Sequence, residues 1–204
     1  MHVLAGSTAM IDRADAAVPA FEFATSISAA FQREVGQGPN TSAVWTIGKF
    51  DISPGATSIV PGSAELVVQF RDPSETTLDR MEAVLFRTVA EYSSRLHLGG
   101  GRVTVALEQD RDHVRAIAMH PDMVRHVQAA AEDRSPGQWQ TLHSGAIHDA
   151  GVMAAVMPAA MLFVPSINGI SHAFTEDTDE IDIIAGCDVF VHAAARMVAE
   201  HQVL

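Results

Sequence analysis

The side chains that can do chemistry gather between Leu142 and Phe174, where two polar loops flank an apolar run. The first loop reads His143-Ser144-Gly145-Ala146-Ile147-His148-Asp149. The second reads Pro165-Ser166-Ile167-Asn168-Gly169-Ile170-Ser171-His172, so three of the ten histidines fall in two short stretches. Imidazole is the commonest metal ligand near neutral pH, which makes His172 a candidate ligand. A loop histidine held by hydrogen bonds is the alternative. His148 stands beside Asp149, and a carboxylate can orient an imidazole, while Gly145 and Ala146 let backbone approach a ligand. A helix start capped by Asp149 explains the same residues. Ser144 lacks the strand–elbow–helix Gly-x-Ser-x-Gly context of a serine nucleophile. His143, His148, Asp149 and His172 match neither His-Glu-x-x-His spacing nor a compact chelate. Far upstream, Arg71 closes an alternating run. Its guanidinium suits either bidentate capture of a carboxylate or an ordinary surface ion pair.

These residues need elements to hold them. Residues 159–164 are short, apolar and stopped by Pro165, and they read as a buried strand that presents the second loop at a sheet edge. Residues 149–157 read as a short helix. Residues 177–202 read as a long one, acidic in its first turns, with Ile181, Ile184, Ala185, Val189, Ala193, Met197 and Val198 on its apolar face. Residues 120–133 form a further helix. Upstream, residues 12–37 carry a helical stripe through Ala16, Ala20, Phe23, Ile27, Ala30 and Phe31, and Gly38-Pro39-Asn40 stops it. Residues 41–52 and 64–71 alternate as strands, the first through Val44, Thr46, Ile47 and Phe50, the second through Leu66, Val68 and Phe70. Residues 74–96 form a helix buried through Leu78, Met81, Leu85, Thr88, Val89 and Tyr92, and ended by Gly99-Gly100-Gly101. Residues 102–109 form another strand. Residues 1–8 resemble the end of a strand and its turn. The order βαββαβ predicts a ferredoxin-like unit over residues 1–112, followed by an α/β segment over residues 113–204.

Composition narrows the function classes. The 204 residues are 48% hydrophobic and 19% charged, with a formal net charge of −12. That acidity argues against nucleic acid or an anionic membrane as partner. The longest apolar run, residues 150–164, is too short to span a bilayer and is cut by Pro158. The expectation is a cytoplasmic protein. The single cysteine, Cys187, sits in apolar sequence and reads as a small core residue.

The two loops also carry a resemblance. Ser144-Gly145-Ala146-Ile147-His148-Asp149-Ala150 and Phe163-Val164-Pro165-Ser166-Ile167-Asn168-Gly169-Ile170-Ser171-His172 resemble the C-terminal part of the zinc-dependent amidohydrolases. These are the N-carbamoyl-L-amino-acid hydrolases, β-ureidopropionases and allantoate amidohydrolases, relatives of the di-zinc aminopeptidases and carboxypeptidases. Ala5-Gly6-Ser7-Thr8-Ala9-Met10, residues 54–62 and Gln69-Phe70-Arg71-Asp72-Pro73 are similar to the same family's lid and dimerisation domain. The resemblance implies an α/β catalytic domain that binds two metal ions, zinc or manganese, and a lid that dimerises and contributes substrate groups. It implies His172 as a metal ligand and Arg71 as the clamp for a substrate carboxylate. It further implies a substrate pocket lined by His148, by backbone at Gly145 and Gly169, and by Ser58, which stands where the family usually has Asn. The family's remaining ligands and its general-base Glu belong to the half that precedes the lid. Leu4, Ile147 and Asn168 depart from the family's His, Gly and Gly. The expectation is therefore a homodimer that hydrolyses nothing alone and is completed by a polypeptide carrying the other half. A non-catalytic dimerisation remnant and a small-molecule binding module are the alternatives.

Overall fold

The computed structural model describes residues 4–37, 42–95, 104–110 and 113–201. The chain divides into two compact units, Met1–Ala116 and Ile117–Leu204. Among the described residues no helix is long and apolar enough to cross a membrane.

In the first unit, α1 (Ala17–Glu34) and α2 (Glu75–Arg95) pack against an antiparallel pair, β1 (Val44–Ser53) and β2 (Ser63–Arg71). The helical period brings the expected stripes inward. Phe23, Ile27, Ala30 and Phe31 of α1 meet Met81, Val84 and Tyr92 of α2. Phe31 lies at the centre, with its ring edge-on to Trp45 at 5.7 Å and to Phe70 at 5.6 Å. The polar groups that enter this core are paired: Ser26 Oγ lies 2.7 Å from Tyr92 Oη, and Trp45 Nε1 donates to Ser28 Oγ at 3.1 Å.

The strand pairing corrects the pattern read from sequence. Ile47 sits opposite Val68 and Lys49 opposite Val67, so Gly48 is an extra residue and a bulge. A bulge shifts the two-residue period by one. Trp45 and Ile47 precede it, Phe50 and Ile52 follow it, and all four stand opposite Phe70, Val68, Leu66 and Ala64 respectively. One face of the hairpin is thus apolar along its whole length, which an uninterrupted alternation through Val44, Thr46 and Phe50 would not give.

The expected βαββαβ order is present in its middle four elements. Where a first strand was expected, Leu4 makes one bridge to Ile59 and Ala5–Ser7 form a turn of 3-10 helix. Residues 104–110 form no strand, and Val105 and Leu107 stay exposed. Arg102, Val103, the triplet Gly99-Gly100-Gly101 and the stop Gly38-Pro39-Asn40 lie outside the described residues. The helix expected from residue 12 starts at Ala17. Asp15 Oδ1 accepts the Ala17 N–H at 2.9 Å, and residues 10–12 form a separate 3-10 turn.

The second unit holds α3 (Pro121–Arg134), α4 (Asp149–Ala154) and α5 (Glu180–His201). Its buried core is small and built of small residues: Ala130 and Ala131 of α3 against Val189 and Ala193 of α5. Ion pairs flank this seam. Arg134 Nε donates to Asp188 at 2.6 Å, His126 Nε2 lies 2.7 Å from Glu200, and Arg196 pairs with Asp133. Only part of the expected α5 face is covered, and Ile181, Ile184 and Val198 are exposed. Cys187 is exposed too, which corrects its reading as a core residue.

Residues 159–164 belong to no sheet, and Leu162, Phe163 and Val164 are exposed. The strand expected there is not formed, because a strand needs a neighbour for its backbone groups and the only sheet among the described residues is β1–β2. The segment instead lies along α5, where Gly186 admits it. A Cβ at that position would stand 2.4 Å from Val164 Cγ1. Leu162, Val164, Ile183, Cys187, Phe190 and Val191 line the open apolar groove between them.

The Arg134 guanidinium beside Asp188 holds that carboxyl below the usual carboxylate range, against a smaller opposing effect of burial, with further help from Arg134 and His192 charge. A depressed folded-state pKa contributes stability above the unfolded value and loses it as pH falls through the folded one. Asp188→Asn should therefore lower the urea midpoint of the second unit near neutral pH. The difference from wild type should shrink as pH drops below the ordinary carboxylate range. A difference that stayed constant with pH would remove the Arg134–Asp188 pair from this role.

Candidate active-site residues

The first loop of the second unit is closed by its own side chains. Ser144 Oγ accepts the Ala146 N–H at 3.2 Å and lies 2.6 Å from His148 Nε2. His148 takes the N-cap position of α4, with extended backbone at φ −125° and ψ 152°, and its carbonyl accepts the Gly151 N–H at 2.9 Å. Asp149 is the first residue of the helix, so it suits the positive end of the dipole. The partner of the imidazole is therefore Ser144, where the sequence pointed to Asp149. Phe163, from the segment 159–164, stands edge-on to the His148 ring at 5.4 Å. A Cβ placed at Gly145 would meet nothing within 4 Å, so neither space nor backbone conformation demands glycine there. Ile147 points outward and is 73% exposed, so within this unit it crowds nothing.

The second loop is strained. Asn168, Gly169 and His172 all have positive φ, at 57°, 67° and 57°. This region is sparsely populated by residues other than glycine, and such backbone clusters at functional positions. Gly169 is the position where the turn requires glycine. The loop is tied from behind by Asp177, whose carbonyl accepts the Ile167 N–H at 2.8 Å, and by Glu176, whose Oε2 accepts the His172 N–H at 2.8 Å. The sequence reading assigned Glu176 no role beside His172. Its signal is an acidic side chain four residues after a candidate ligand.

Arg71 and Ser58 belong to the first unit. Arg71 is half-buried at the end of β2, opposite Val44. Ser58 is exposed in the loop joining β1 to β2, and its carbonyl accepts the Ala5 N–H at 2.8 Å. The ladder between them runs from Ser53–Ser63 to Val44–Arg71. Eight residue steps at about 3.4 Å each separate the two rungs by about 27 Å. The fold thus places these two residues at opposite ends of one hairpin.

A metal site is a different matter. Among the described residues no three His, Cys, Asp or Glu side chains come together in a group able to hold a metal ion. His172 is exposed and His148 is engaged with Ser144, so the described residues do not amount to a di-metal centre.

Known proteins are similar to this chain along nearly all of it. A sequence model of peptidase family M20/M25/M40 matches residues 2–196. An N-carbamoyl-L-amino-acid amidohydrolase of Rhizobium meliloti is 32% identical over 151 residues, 74% of this chain and 35% of its own length. The allantoate amidohydrolase of Escherichia coli is 29% identical over 143 residues, 70% of this chain and 33% of that protein. The crystal structure of an amidase of the hydantoinase/carbamoylase family from Burkholderia phymatum superposes with a TM-score of 0.82 at 37% identity, covering 98% of this chain and 46% of that one. The chain therefore spans less than half the length of the relatives it matches. With a match over residues 2–196 and a shared fold across nearly its full length, the chain belongs to peptidase family M20/M25/M40.

Proposed function

We propose that this chain is the C-terminal part of a metal-dependent hydrolase that cleaves linear amide or ureido C–N bonds, with N-carbamoyl amino acids and allantoate-like compounds as the substrate class. The family match over residues 2–196 carries this reading, and the relatives named for those substrates support it. The first unit is the lid and dimerisation domain, built on the αββα middle of a ferredoxin-like order. The second unit is the C-terminal segment of the α/β catalytic domain. Arg71 clamps the substrate carboxylate through a bidentate pair. Ser58, His148 and the backbone at Gly145 and Gly169 complete the recognition of a substrate that is otherwise an uncharged ureido or amide group. His172 contributes one ligand to a zinc or manganese centre.

That centre needs further ligands and a general base, and the described residues do not group into them. The chain alone is therefore inactive, and a polypeptide carrying the other half completes it. Surface chemistry supports the same conclusion. Ile181 is 75% exposed and Phe190 64%, and Leu162, Phe163 and Val164 are exposed in a segment that joins no sheet among the described residues. Apolar helix faces and an apolar segment outside any sheet are what a larger sheet would cover. The missing ligand group also favours, as a second reading, a non-catalytic dimerisation or binding module.

The hairpin geometry bears on assembly. A carbamoyl amino acid is far shorter than the about 27 Å ladder separating Arg71 from Ser58. If both residues bind substrate, one molecule takes Arg71 from one copy and Ser58 from another, and the working unit is a dimer. Light scattering on the purified chain should return about twice its 21.8 kDa mass at micromolar concentration. A monomer under those conditions would leave Arg71 and Ser58 without a common substrate.

A further inference from the structure

The Ser144–His148 contact contains more information than its distance. A serine hydroxyl has one proton and two lone pairs, and a neutral imidazole has one nitrogen that donates and one that accepts. Ser144 Oγ already receives the Ala146 N–H, and a backbone amide can only donate. The remaining contact, 2.6 Å to His148 Nε2, can be made in two ways. If Nε2 carried the proton, Oγ would accept twice, and its own proton would be left to solvent. If Oγ donates to Nε2, the amide, the hydroxyl and the ring nitrogen are all satisfied by one arrangement. The hydrogen bond made by one ring nitrogen decides which nitrogen holds the proton. Phe163 stands edge-on to the same ring.

We propose that Ser144 is a positioning residue that fixes His148 in the tautomer protonated at Nδ1, so that the ring offers Nδ1–H as a hydrogen-bond donor to an oxygen of the substrate. This rests on the reading of His148 as a substrate-binding residue. The oxygen is a carboxylate or a ureido carbonyl, since each accepts and neither donates. An imidazole with the opposite tautomer would present a bare lone pair at Nδ1 and repel the same atom. Neutral histidine left to itself prefers the proton on Nε2, so the arrangement is one the protein must impose.

Long-range proton–nitrogen NMR of the 15N-labelled full chain, at a pH where His148 is neutral, reads the tautomer directly. His148 is assigned by the signals lost in His148→Asn. Wild type should show the proton predominantly on Nδ1. Ser144→Ala should move it predominantly to Nε2, and Ser144→Thr, which keeps the hydroxyl, should restore Nδ1. Ser144 is exposed, so both variants leave the packing of the unit intact. Wild type protonated at Nε2, or a pattern unchanged in Ser144→Ala, would overturn the inference. Adding an N-carbamoyl-L-amino acid tests the other reading separately. The Nδ1–H signal should shift with ligand. A signal that stays in place while the tautomer follows Ser144 would remove His148 from substrate binding and leave the tautomer assignment standing.

Discussion

Phe31→Ala should lower the stability of the first unit by about 3–5 kcal/mol, the usual cost of truncating a fully buried phenylalanine. Phe31 has no exposed surface, and its ring touches both layers of the unit: Trp45 and Phe70 on the sheet, and the α1–α2 core beside it. The cavity left behind would be bounded by Ile27 and Met81, which are themselves fully buried, and by strands pinned by the ladder. Such a site collapses poorly, which places the cost toward the upper end of the range. Trp45 reports the transition, because its indole packs on the mutated side chain. In a Trp139→Phe background its emission follows the first unit alone, as these are the chain's two tryptophans. A loss below about 1 kcal/mol would mean that the α1–sheet packing described here is not what holds the unit together.

Ala130→Leu should fail in the opposite way, by overfilling. The α3–α5 seam is made of Ala130, Ala131, Val189 and Ala193, with Ala130 fully buried. Small residues on both sides let the helices approach closely, and an isobutyl side chain in place of the buried Ala130 methyl overfills the seam. Overpacking of this kind costs about 1–3 kcal/mol. Here it also pulls apart the pairs Arg134–Asp188, Arg196–Asp133 and His126–Glu200 that border the seam. Urea unfolding followed by Trp139 measures the effect, since its Nε1–H donates to Glu132 of α3 at 2.7 Å. Equal or greater stability would show that the seam is looser than its burial implies. The two units thus differ in what they tolerate. The first is filled by large side chains and is sensitive to their removal; the second is closed by small ones and is sensitive to their enlargement.

The elements that came through from sequence are those whose period speaks for itself. Phe23, Ile27, Ala30 and Phe31 recur at helical spacing and all reach the core, as do Met81 and Tyr92. Helices carry their own hydrogen bonds, so their pattern survives without knowledge of partners. Residues 159–164 have the composition of a buried strand, but pairing is a property of two segments, and among the described residues no strand pairs with them. The inward face of β1 was hidden by Gly48, because one unpaired residue changes which neighbours point inward. The site divides along the same line. His148 and His172 stand out as residue types in loops, and Gly169 as a turn glycine. Their partners Ser144 and Glu176 are ordinary residues whose roles arise only when the loops close. That Arg71 and Ser58 lie at opposite ends of a hairpin follows from strand register, which residue spacing alone does not convey.

The most direct test of the proposed function joins metal content to turnover on one sample. The purified chain is incubated with zinc or manganese, freed of unbound metal, and assayed for metal per chain and for hydrolysis of N-carbamoyl-L-amino acids and allantoate. The proposal expects metal well below one ion per chain and no hydrolysis, because the described residues offer His172 without a group of companion ligands. One or two tightly held ions per chain together with turnover would contradict it, and would mean that this chain assembles a complete centre of its own.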